Sequence, residues 1–261
     1  MKRLLDDYRI VVPSRHRAGN MAKLRALLPT AYVTVEESEV DAYAKVMPPE
    51  LLMPHPKLKN LSAIRNWITD NTPEEAVIMV DDDLTHVIQT GAHAKTLKDP
   101  EVLLQILEVD LQLARDLGAG VFCYHRSGNS VLTRPEVRPF RVVMPVTAAF
   151  CLRGHVKSKI RWDEEMLSDL DLTMRLLLQE RYVLVDARYY WDFGQVFAGK
   201  GGNVGTITSE ARAADRARLR ERWGQYLGVT RKRDGLSKGL KVAIGDSASV
   251  RVERLNPAAT H

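Results

Sequence analysis

The sequence contains only two cysteines in 261 residues and no long hydrophobic run. Cys123 and Cys151 each lie in an apolar stretch, which indicates reduced core residues rather than a disulfide or a metal pair. No apolar stretch approaches the roughly 18 residues of a membrane helix. Residues 1–7 do not resemble a signal peptide. We therefore expect a cytoplasmic protein with no membrane contact.

Acidic residues are in the minority. The chain has 38 Lys and Arg against 33 Asp and Glu, which gives a net charge of +5 and a pI near 9.2. This balance favours an anionic partner but does not say which, since a nucleotide and a nucleic acid would both satisfy it. The hydrophobic fraction of 45% is ordinary for one α/β domain of this length.

The strongest functional signal is AVIMVDDDL at residues 76–84. Its apolar run predicts a buried strand that ends at Asp81, Asp82 and Asp83, where an open α/β sheet places its ligand site. Carboxylates this close repel one another unless a cation lies among them. Carboxylate, water and phosphate oxygens suit Mg²⁺ or Mn²⁺. The alternative is a solvated acidic turn that caps the next helix.

The first strand, predicted at 8–12, is followed by a polar and basic loop. A helix with Asn20 as its N-cap is predicted after it, at 21–28. A hydroxyl and guanidiniums before a helix suit a nucleoside base or a phosphate, although a solvated basic turn is the alternative. These side chains belong to Ser14, Arg15 and Arg17.

The second strand, predicted at 31–35, runs into Glu36 and Glu37. Acidic side chains at the end of a strand can accept hydrogen bonds from a base or a ribose. An N-cap cluster for the next segment is the alternative.

A helix is predicted at 63–70 with Ser62 as its N-cap and an apolar stripe on one face. Arg65 and Asn66 lie off this stripe, so they could line the cleft at the aspartates. Exposure to solvent is the usual alternative for such residues.

The middle of the chain supplies further sheet elements. Asp99 and Pro100 start a predicted helix that stops at Gly118. Strands are predicted at 120–124, 141–144 and 147–152.

A second acidic motif, WDEEMLSDLDLTMRL, precedes a helix predicted at 169–179 and a strand at 182–185. Ser168 and Asp171 fit a capping box at the start of that helix. The capping box does not explain Asp169, which lies in the first turn, where the helix dipole favours an ionised base.

The C-terminal part is rich in glycine and arginine. GKGGNVG at 199–205, with Lys200, suits a loop over phosphates or a flexible linker. A helix predicted at 209–227 and the segment after it form either a solvated basic face or a surface for the DNA backbone. The basic residues concerned are Arg212, Arg216, Arg220, Arg231, Lys232 and Arg233. Little fixed structure is expected from 245 onward.

Five motifs together resemble a GT-A-fold, nucleotide-sugar-dependent glycosyltransferase over residues 8–195. They are IVVPSRHR, VEESE, LSAIRNW, VDDDL and WDEEMLSDLDLTMRL. The pair IVVPSRHRAGN and VTVEESEVDAY looks most like the TET-associated glycosyltransferases of bacteriophages. The resemblance implies an α/β, GT-A-like (Rossmann-like) mixed sheet flanked by helices at 8–195. A basic helical appendage at 196–244 and a poorly structured tail at 245–261 would follow.

The resemblance also implies roles for individual residues. The donor, most readily a UDP-sugar, would be held by Pro13, Ser14, Arg15, Arg17, Glu36 or Glu37, Arg65, Asn66, Asp81, Asp82 and Lys200. The metal, Mn²⁺ or Mg²⁺, would be held by Asp81 and Asp83, with Asp192 as the third ligand. Asp169 would be the catalytic base, and Asp171 stays open as the alternative because Ser168 departs from the usual Glu-Asp pair.

The acceptor implied by the resemblance is 5-hydroxymethylcytosine in DNA, which a TET-like oxygenase would supply. A glycosyltransferase with a non-DNA acceptor is one alternative. A metal-dependent nuclease using Asp81, Asp83, Asp169 and Asp171 is another. A nucleotidyltransferase and a non-catalytic nucleic-acid module complete the alternatives.

Overall fold

The computed structural model describes residues 7–90, 94–125, 138–167, 169–193, 208–231 and 238–242. Within these residues a ten-stranded sheet forms the centre of the molecule. Its strands are β1 (Tyr8–Pro13), β2 (Tyr32–Glu36), β3 (Leu52–His55), β4 (Ala76–Val80), β5 (His86–Gln89), β6 (Lys95–Leu97), β7 (Val121–His125), β8 (Phe140–Arg141), β9 (Ala149–Arg153) and β10 (Leu184–Asp192).

Helices flank this sheet, and a separate two-stranded sheet follows them in the chain. The helices are α1 (Met21–Leu27), α2 (Val40–Ala44), α3 (Leu61–Asp70), α4 (Pro100–Asp116), α5 (Gly154–Lys159), α6 (Asp169–Glu180) and α7 (Ser209–Trp223). The small sheet pairs β11 (Leu227–Arg231) with β12 (Lys238–Val242). No helix in the described part of the chain is long and apolar enough to cross a membrane.

The sheet is parallel on one side and mixed on the other, in the order β3-β2-β1-β4-β9-β7-β10-β5-β6. Strands β3, β2, β1 and β4 are parallel, whereas β9 is antiparallel to both β4 and β7. Because β1, β2 and β4 run in the same direction, their carboxyl ends meet at one edge of the sheet. The polar segments after those three strands are therefore brought together there.

Two apolar clusters lie on opposite faces of the sheet. In β4, Ile78 belongs to the cluster that contains α4, whereas Val77 and Met79 belong to the cluster that contains α3, α5 and α6. All five residues of β4 are buried because both faces are covered. Each large apolar side chain buried in this way stabilises the fold by about 1.5–3 kcal/mol.

The predicted mixed sheet flanked by helices is confirmed, but several element boundaries were predicted wrongly. Strands β5 and β6 were not predicted, and β10 extends to Asp192 instead of ending at 185. The strand predicted at 141–144 is limited to Phe140–Arg141. The helix predicted at 209–227 ends at Trp223, and β11 begins at Leu227.

The N-cap of α3 also differs from the prediction. Asn60, not Ser62, caps the helix, because its side chain accepts a hydrogen bond from the Ala63 amide at 3.0 Å. The helix therefore starts at Leu61, before the predicted start. The predicted start of α4 at Asp99 and Pro100 is correct: Asp99 is the N-cap, and its side chain accepts from the Glu101 amide at 3.0 Å.

Candidate active site

The three aspartates after β4 lie in different environments. Asp82 is buried, whereas the Asp81 and Asp83 side chains are 26% and 30% exposed. The Asp81 amide donates to the Ala148 carbonyl at 2.7 Å, which fixes the chain as it leaves the sheet. Two carboxylates therefore face the open end of the sheet, and the one between them faces inward.

Asp82 anchors the loop that follows β1. One of its carboxylate oxygens accepts a hydrogen bond from the Ser14 hydroxyl at 2.6 Å, and the other from Arg17 Nη1 at 2.8 Å. The Asn20 amide donates to the Asp82 carbonyl at 3.3 Å, so Asn20 is bonded there and does not cap α1 with its side chain. Ser14, Arg17 and Asp82, all predicted to bind donor, thus form one network.

Tyr43 belongs to the same network and was not predicted. Its hydroxyl lies 2.7 Å from the Ser14 hydroxyl and accepts from the Arg17 amide at 3.0 Å. Burial, the largest effect, raises the pKa of Tyr43. For Arg17, burial alone would lower the pKa, but the hydrogen bond to Asp82 raises it above the usual value. The loop after β1 is thereby held in one position against β4.

Arg65 joins the two acidic motifs. Its Nη1 lies 2.5 Å from Asp169 Oδ1 and its Nη2 lies 3.3 Å from Asp81 Oδ1. The guanidinium is almost fully buried and lies beside the rings of Phe150 and Trp162, 5.4 and 5.9 Å from their centroids. Burial alone would lower the pKa of Arg65, but attraction to Asp169 and Asp81 raises it. Asp81 and Asp169 therefore lie within the span of one guanidinium.

Helix α3 also holds the main chain of the late acidic motif. The Asn66 side chain donates to the Trp162 carbonyl at 3.0 Å and accepts from the Trp162 amide at 2.8 Å. Asn60 donates to the Glu164 carbonyl at 2.6 Å, and Ser62 donates to the Met166 carbonyl at 3.3 Å. Asn66 was predicted to bind donor, but its amide is engaged with the main chain of the motif.

Asp171 lies inside a network of its own. It is 1% exposed, and one oxygen accepts from Arg175 Nε and Nη2 at 2.9 and 2.6 Å. The other oxygen accepts from Arg222 Nη1 at 2.9 Å and from Trp223 Nε1 at 2.8 Å. The Asp169 side chain, by contrast, is 30% exposed. Of the two predicted base residues, Asp169 is thus the one that is partly exposed to solvent.

Glu39, in the acidic segment after β2, contacts the loop that follows β1, and it was not predicted. Glu39 is buried and accepts from the His16 amide at 2.6 Å. Glu36 accepts from the Ser38 hydroxyl at 2.9 Å, and Glu37 is exposed. Pro13 is the buried last residue of β1, and Arg15 is half-buried in the loop after it.

Two of the predicted metal ligands lie at the carboxyl end of β4, and the third lies at the end of β10, which is separated from β4 in the sheet by β9 and β7. Asp192 pairs with His86 of β5, and its carboxylate accepts from the Thr85 hydroxyl at 2.9 Å. Within the described ranges, no three His, Cys, Asp or Glu side chains form a cluster that could hold a metal. Magnesium and manganese need no such cage, since one or two carboxylates with water and substrate phosphates suffice. The pair Asp81 and Asp83 fits that requirement.

Three of the six predicted DNA-binding residues lie on α7. Arg212, Arg216 and Arg220 are exposed and spaced four residues apart, so they share one face of the helix. Arg231 is the last residue of β11. Ser168, Lys200, Lys232, Arg233 and the tail at 245–261 lie outside the described residues.

Comparison with solved structures shows a shared fold at low sequence identity. A mannosyltransferase from Pyrobaculum calidifontis, solved with GDP-Man and Mn²⁺, is 13% identical with a TM-score of 0.53, over 83% of this chain and 63% of that one. S. aureus TarS 1–349 is 15% identical with a TM-score of 0.45, over 70% and 60%. A mycobacterial protein is 10% identical with a TM-score of 0.50, over 91% and 83%.

This chain spans less than two thirds of two of these structures: 60% of TarS 1–349 and 63% of the mannosyltransferase. A comparison with curated proteins gave no match. The family model of the TET-associated glycosyltransferases matches residues 8–202, which include both acidic motifs. The chain therefore belongs to the TET-associated glycosyltransferase family, and its fold is GT-A-like.

Proposed function

We propose that this enzyme transfers a sugar from a nucleotide-sugar donor to the hydroxymethyl group of a modified pyrimidine in DNA, with Asp169 as the general base. The observation that carries this proposal is the Arg65 bridge. It joins Asp169 to Asp81 of the strand-end aspartates through contacts of 2.5 and 3.3 Å. A base and a donor-binding carboxylate are thereby held next to each other, as transfer between two substrates requires.

The donor would bind at the carboxyl ends of β1, β2 and β4. Ser14, Arg15 and Arg17 lie there with the Glu36 to Glu39 segment, which suits a nucleoside. Asp81 and Asp83 would hold a divalent cation, Mn²⁺ or Mg²⁺, between the protein and the diphosphate. When bound, that cation would neutralise charge on the departing nucleoside diphosphate. A UDP-sugar is the donor that we propose to test first.

Asp169 is suited to take the proton from the acceptor hydroxyl. Its carboxylate is partly open to the cleft, whereas one oxygen is held by Arg65. The second oxygen would accept the proton as the hydroxyl oxygen attacks the anomeric carbon and the bond to the diphosphate breaks. Proton abstraction by a well-placed carboxylate contributes about a hundredfold or more to turnover.

The DNA acceptor is supported by charge and by the family. The exposed arginines of α7 form a basic face, and contacts to a polyanion depend on such faces. The name of the family associates it with TET oxygenases, the class of enzyme that would produce the hydroxymethyl group. In a B-form duplex this group lies in the major groove, so it could be reached without extruding the base.

A nuclease is less well supported by the geometry. A four-carboxylate, two-metal arrangement would need Asp171 among its ligands. Asp171 is 1% exposed, and both of its oxygens accept hydrogen bonds from Arg175, Arg222 and Trp223.

The experiment that tests the proposal compares sugar transfer to three duplexes of the same sequence. One duplex carries cytosine, one 5-methylcytosine and one 5-hydroxymethylcytosine, and each is incubated with a panel of nucleotide sugars and Mn²⁺. We expect transfer to the hydroxymethylated duplex alone, and its loss when the metal is chelated. Donor turnover with a sugar, lipid or protein acceptor but with none of the duplexes would discard the DNA acceptor.

A further inference from the structure

We propose that α7 positions the catalytic base, because Trp223 and Arg222 fix the main chain on which Asp169 is carried. The inference rests on the proposed role of Asp169 and adds two positioning residues to it. Both residues lie beyond residue 202, where the match to the family model ends. The C-terminal helix would then be a part of the catalytic apparatus and not only an appendage to it.

The contacts from α7 reach the first turn of α6. Trp223 Nε1 and Arg222 Nη1 lie 2.8 and 2.9 Å from the same oxygen of Asp171, which is fully buried. Arg222 Nη1 also lies 2.8 Å from Asp163 Oδ2, within the late acidic motif. Arg222 therefore contacts the late acidic motif on both sides of Asp169, at Asp163 and at Asp171.

A second anchor lies on the other side of the base. Asp215 of α7 is buried, and its Oδ1 accepts a hydrogen bond from the Leu167 amide at 2.7 Å. Leu167 lies two residues before Asp169, and Asp171 lies two residues after it. The main chain that carries the base is thus held on both sides, and α7 supplies the partner for each side.

Apolar packing holds α7 in this position. Met166, Met174, Leu219 and Leu227 form a buried cluster, and Trp223 packs against it. The helix begins where the Thr208 side chain accepts from the Ala211 amide at 3.1 Å. The buried residues Asp215 and Leu219 recur every four residues, so one face of α7 is turned toward α6.

These anchors complement the contact from α3. Arg65 fixes the carboxylate of Asp169, whereas α7 fixes the main chain beneath it. A general base acts only within hydrogen-bond reach of its proton, and a displacement of about 1 Å can cost as much as a hundredfold in rate. The exposed Arg216 and Arg220 each follow a buried residue by one position, so they lie about 100° around the helix from it. The helix that positions the base would then also contact the acceptor.

The test uses Trp223→Phe, which removes the N–H donor but keeps an aromatic ring in the cluster. We expect kcat for transfer to fall about tenfold, while the KM for the nucleotide sugar stays near that of the wild type. Arg222→Gln should have the same effect. Two matched controls, Tyr226→Phe in the same cluster and Arg25→Gln on the exposed face of α1, should leave kcat unchanged.

A second measurement separates positioning from general loss of structure. In an Asp169→Asn background, Trp223→Phe should lower kcat no further, because its effect passes through the absent base. A further tenfold loss there, or a kcat per folded molecule in Trp223→Phe equal to that of the wild type, would overturn the inference. A wild-type kcat in Asp169→Asn would show instead that Asp169 is not the base. That result would contradict the proposed function, independently of the α7 variants.

Discussion

Asp82 differs from its two neighbours in what it contacts, although the three side chains are identical. The chain turns directly after β4, and this turn brings the middle aspartate against the loop that follows β1. There it accepts hydrogen bonds from Ser14 and Arg17. The side chains of Asp81 and Asp83 stay partly exposed at the carboxyl end of β4. The motif thus combines one buried structural carboxylate with two partly exposed ones, of which Asp81 lies 3.3 Å from Arg65 and Asp83 lies 3.5 Å from Arg17.

This difference leads to opposite predictions for neighbouring variants. Asp82→Asn should destabilise the fold by about 2 kcal/mol, because it weakens charge-assisted hydrogen bonds at a buried site. Asp83→Asn should change the free energy of unfolding by less than about 0.5 kcal/mol, since the residue is partly exposed. It should nevertheless abolish Mn²⁺-dependent donor binding. Calorimetric titration of UDP-sugars with and without Mn²⁺ measures this, and unchanged metal-dependent affinity in Asp83→Asn would remove the metal assignment.

Arg65 bridges Asp81 and Asp169, and this bridge can be tested with a conservative substitution. Arg65→Lys keeps the buried charge but cannot reach Asp81 and Asp169 together, because an ammonium lacks the guanidinium fork. We expect kcat to fall roughly tenfold or more, since the base loses its position. Arg161→Lys is the control, because Arg161 forms an exposed pair with Asp70, and surface pairs contribute about 0–1 kcal/mol. Equal kcat in Arg65→Lys and wild type would show that the bridge is not needed.

Single elements could be predicted well where local chemistry determines them. Helix α4 has a capping aspartate and a proline at its start, and both features are local. Strands β5 and β6 are short and partly exposed, so they lack the apolar pattern that would indicate them. Strand β10 carries Asp186 and Arg188 in its middle. It therefore lacks the continuous apolar run that would indicate a strand as far as Asp192. Its extent is decided by pairing with β7 and β5, which no local pattern reveals.

The exposed arginines of helix α7 are the proposed contacts to the DNA backbone. Reversing Arg216 and Arg220 to Glu should weaken DNA binding at every sequence and flatten its dependence on salt, because fewer counterions are released. Donor hydrolysis without DNA should stay near normal. The control reverses Lys23 and Arg25 on the exposed face of α1, which changes the net charge equally. Fluorescence anisotropy across a salt series measures this, and equal weakening by both double variants would leave α7 without a specific role.

At the scale of the whole molecule, the site exists only because distant segments meet. The sequence indicates Asp81 and Asp169 as separate acidic motifs, and their resemblance to a family indicates a shared role. It does not indicate that Arg65 lies between them. On α3 this residue lies off the apolar stripe, which left exposure to solvent as the alternative to lining the cleft, but Phe150 and Trp162 enclose it. Tyr43 and Glu39 were missed for the same reason, since only tertiary contacts bring them to the edge.

A buried carboxyl pair away from the site makes stability depend on pH. Asp110 of α4 is enclosed with Asp186, and it accepts a hydrogen bond from the Tyr124 hydroxyl at 2.7 Å. Burial first, and then repulsion from Asp186, raises the pKa of Asp110 from 3.8 to about 8. The folded state therefore keeps a proton that the unfolded chain releases. Stability should fall as the pH rises from 3.8 to about 8.

The substitution Asp110→Asn should flatten this fall, because an amide of the same shape carries no titrating proton. Melting temperatures measured between pH 5 and pH 9 would show the variant gaining on the wild type as the pH rises. Asp116→Asn, on the exposed end of the same helix, should leave the wild-type slope unchanged. Parallel curves for wild type and Asp110→Asn would mean that Asp110 does not hold the proton.

The central claim, that Asp169 is the base and Asp171 its structural neighbour, is tested most directly by comparing kcat for transfer in Asp169→Asn and Asp171→Asn. Asp169→Asn should lower kcat per folded molecule by about a hundredfold or more, with donor affinity near that of the wild type. Asp171→Asn should cost about 2 kcal/mol of stability but no more than roughly tenfold in kcat per folded molecule. A large loss of turnover in Asp171→Asn together with an active Asp169→Asn would contradict the account.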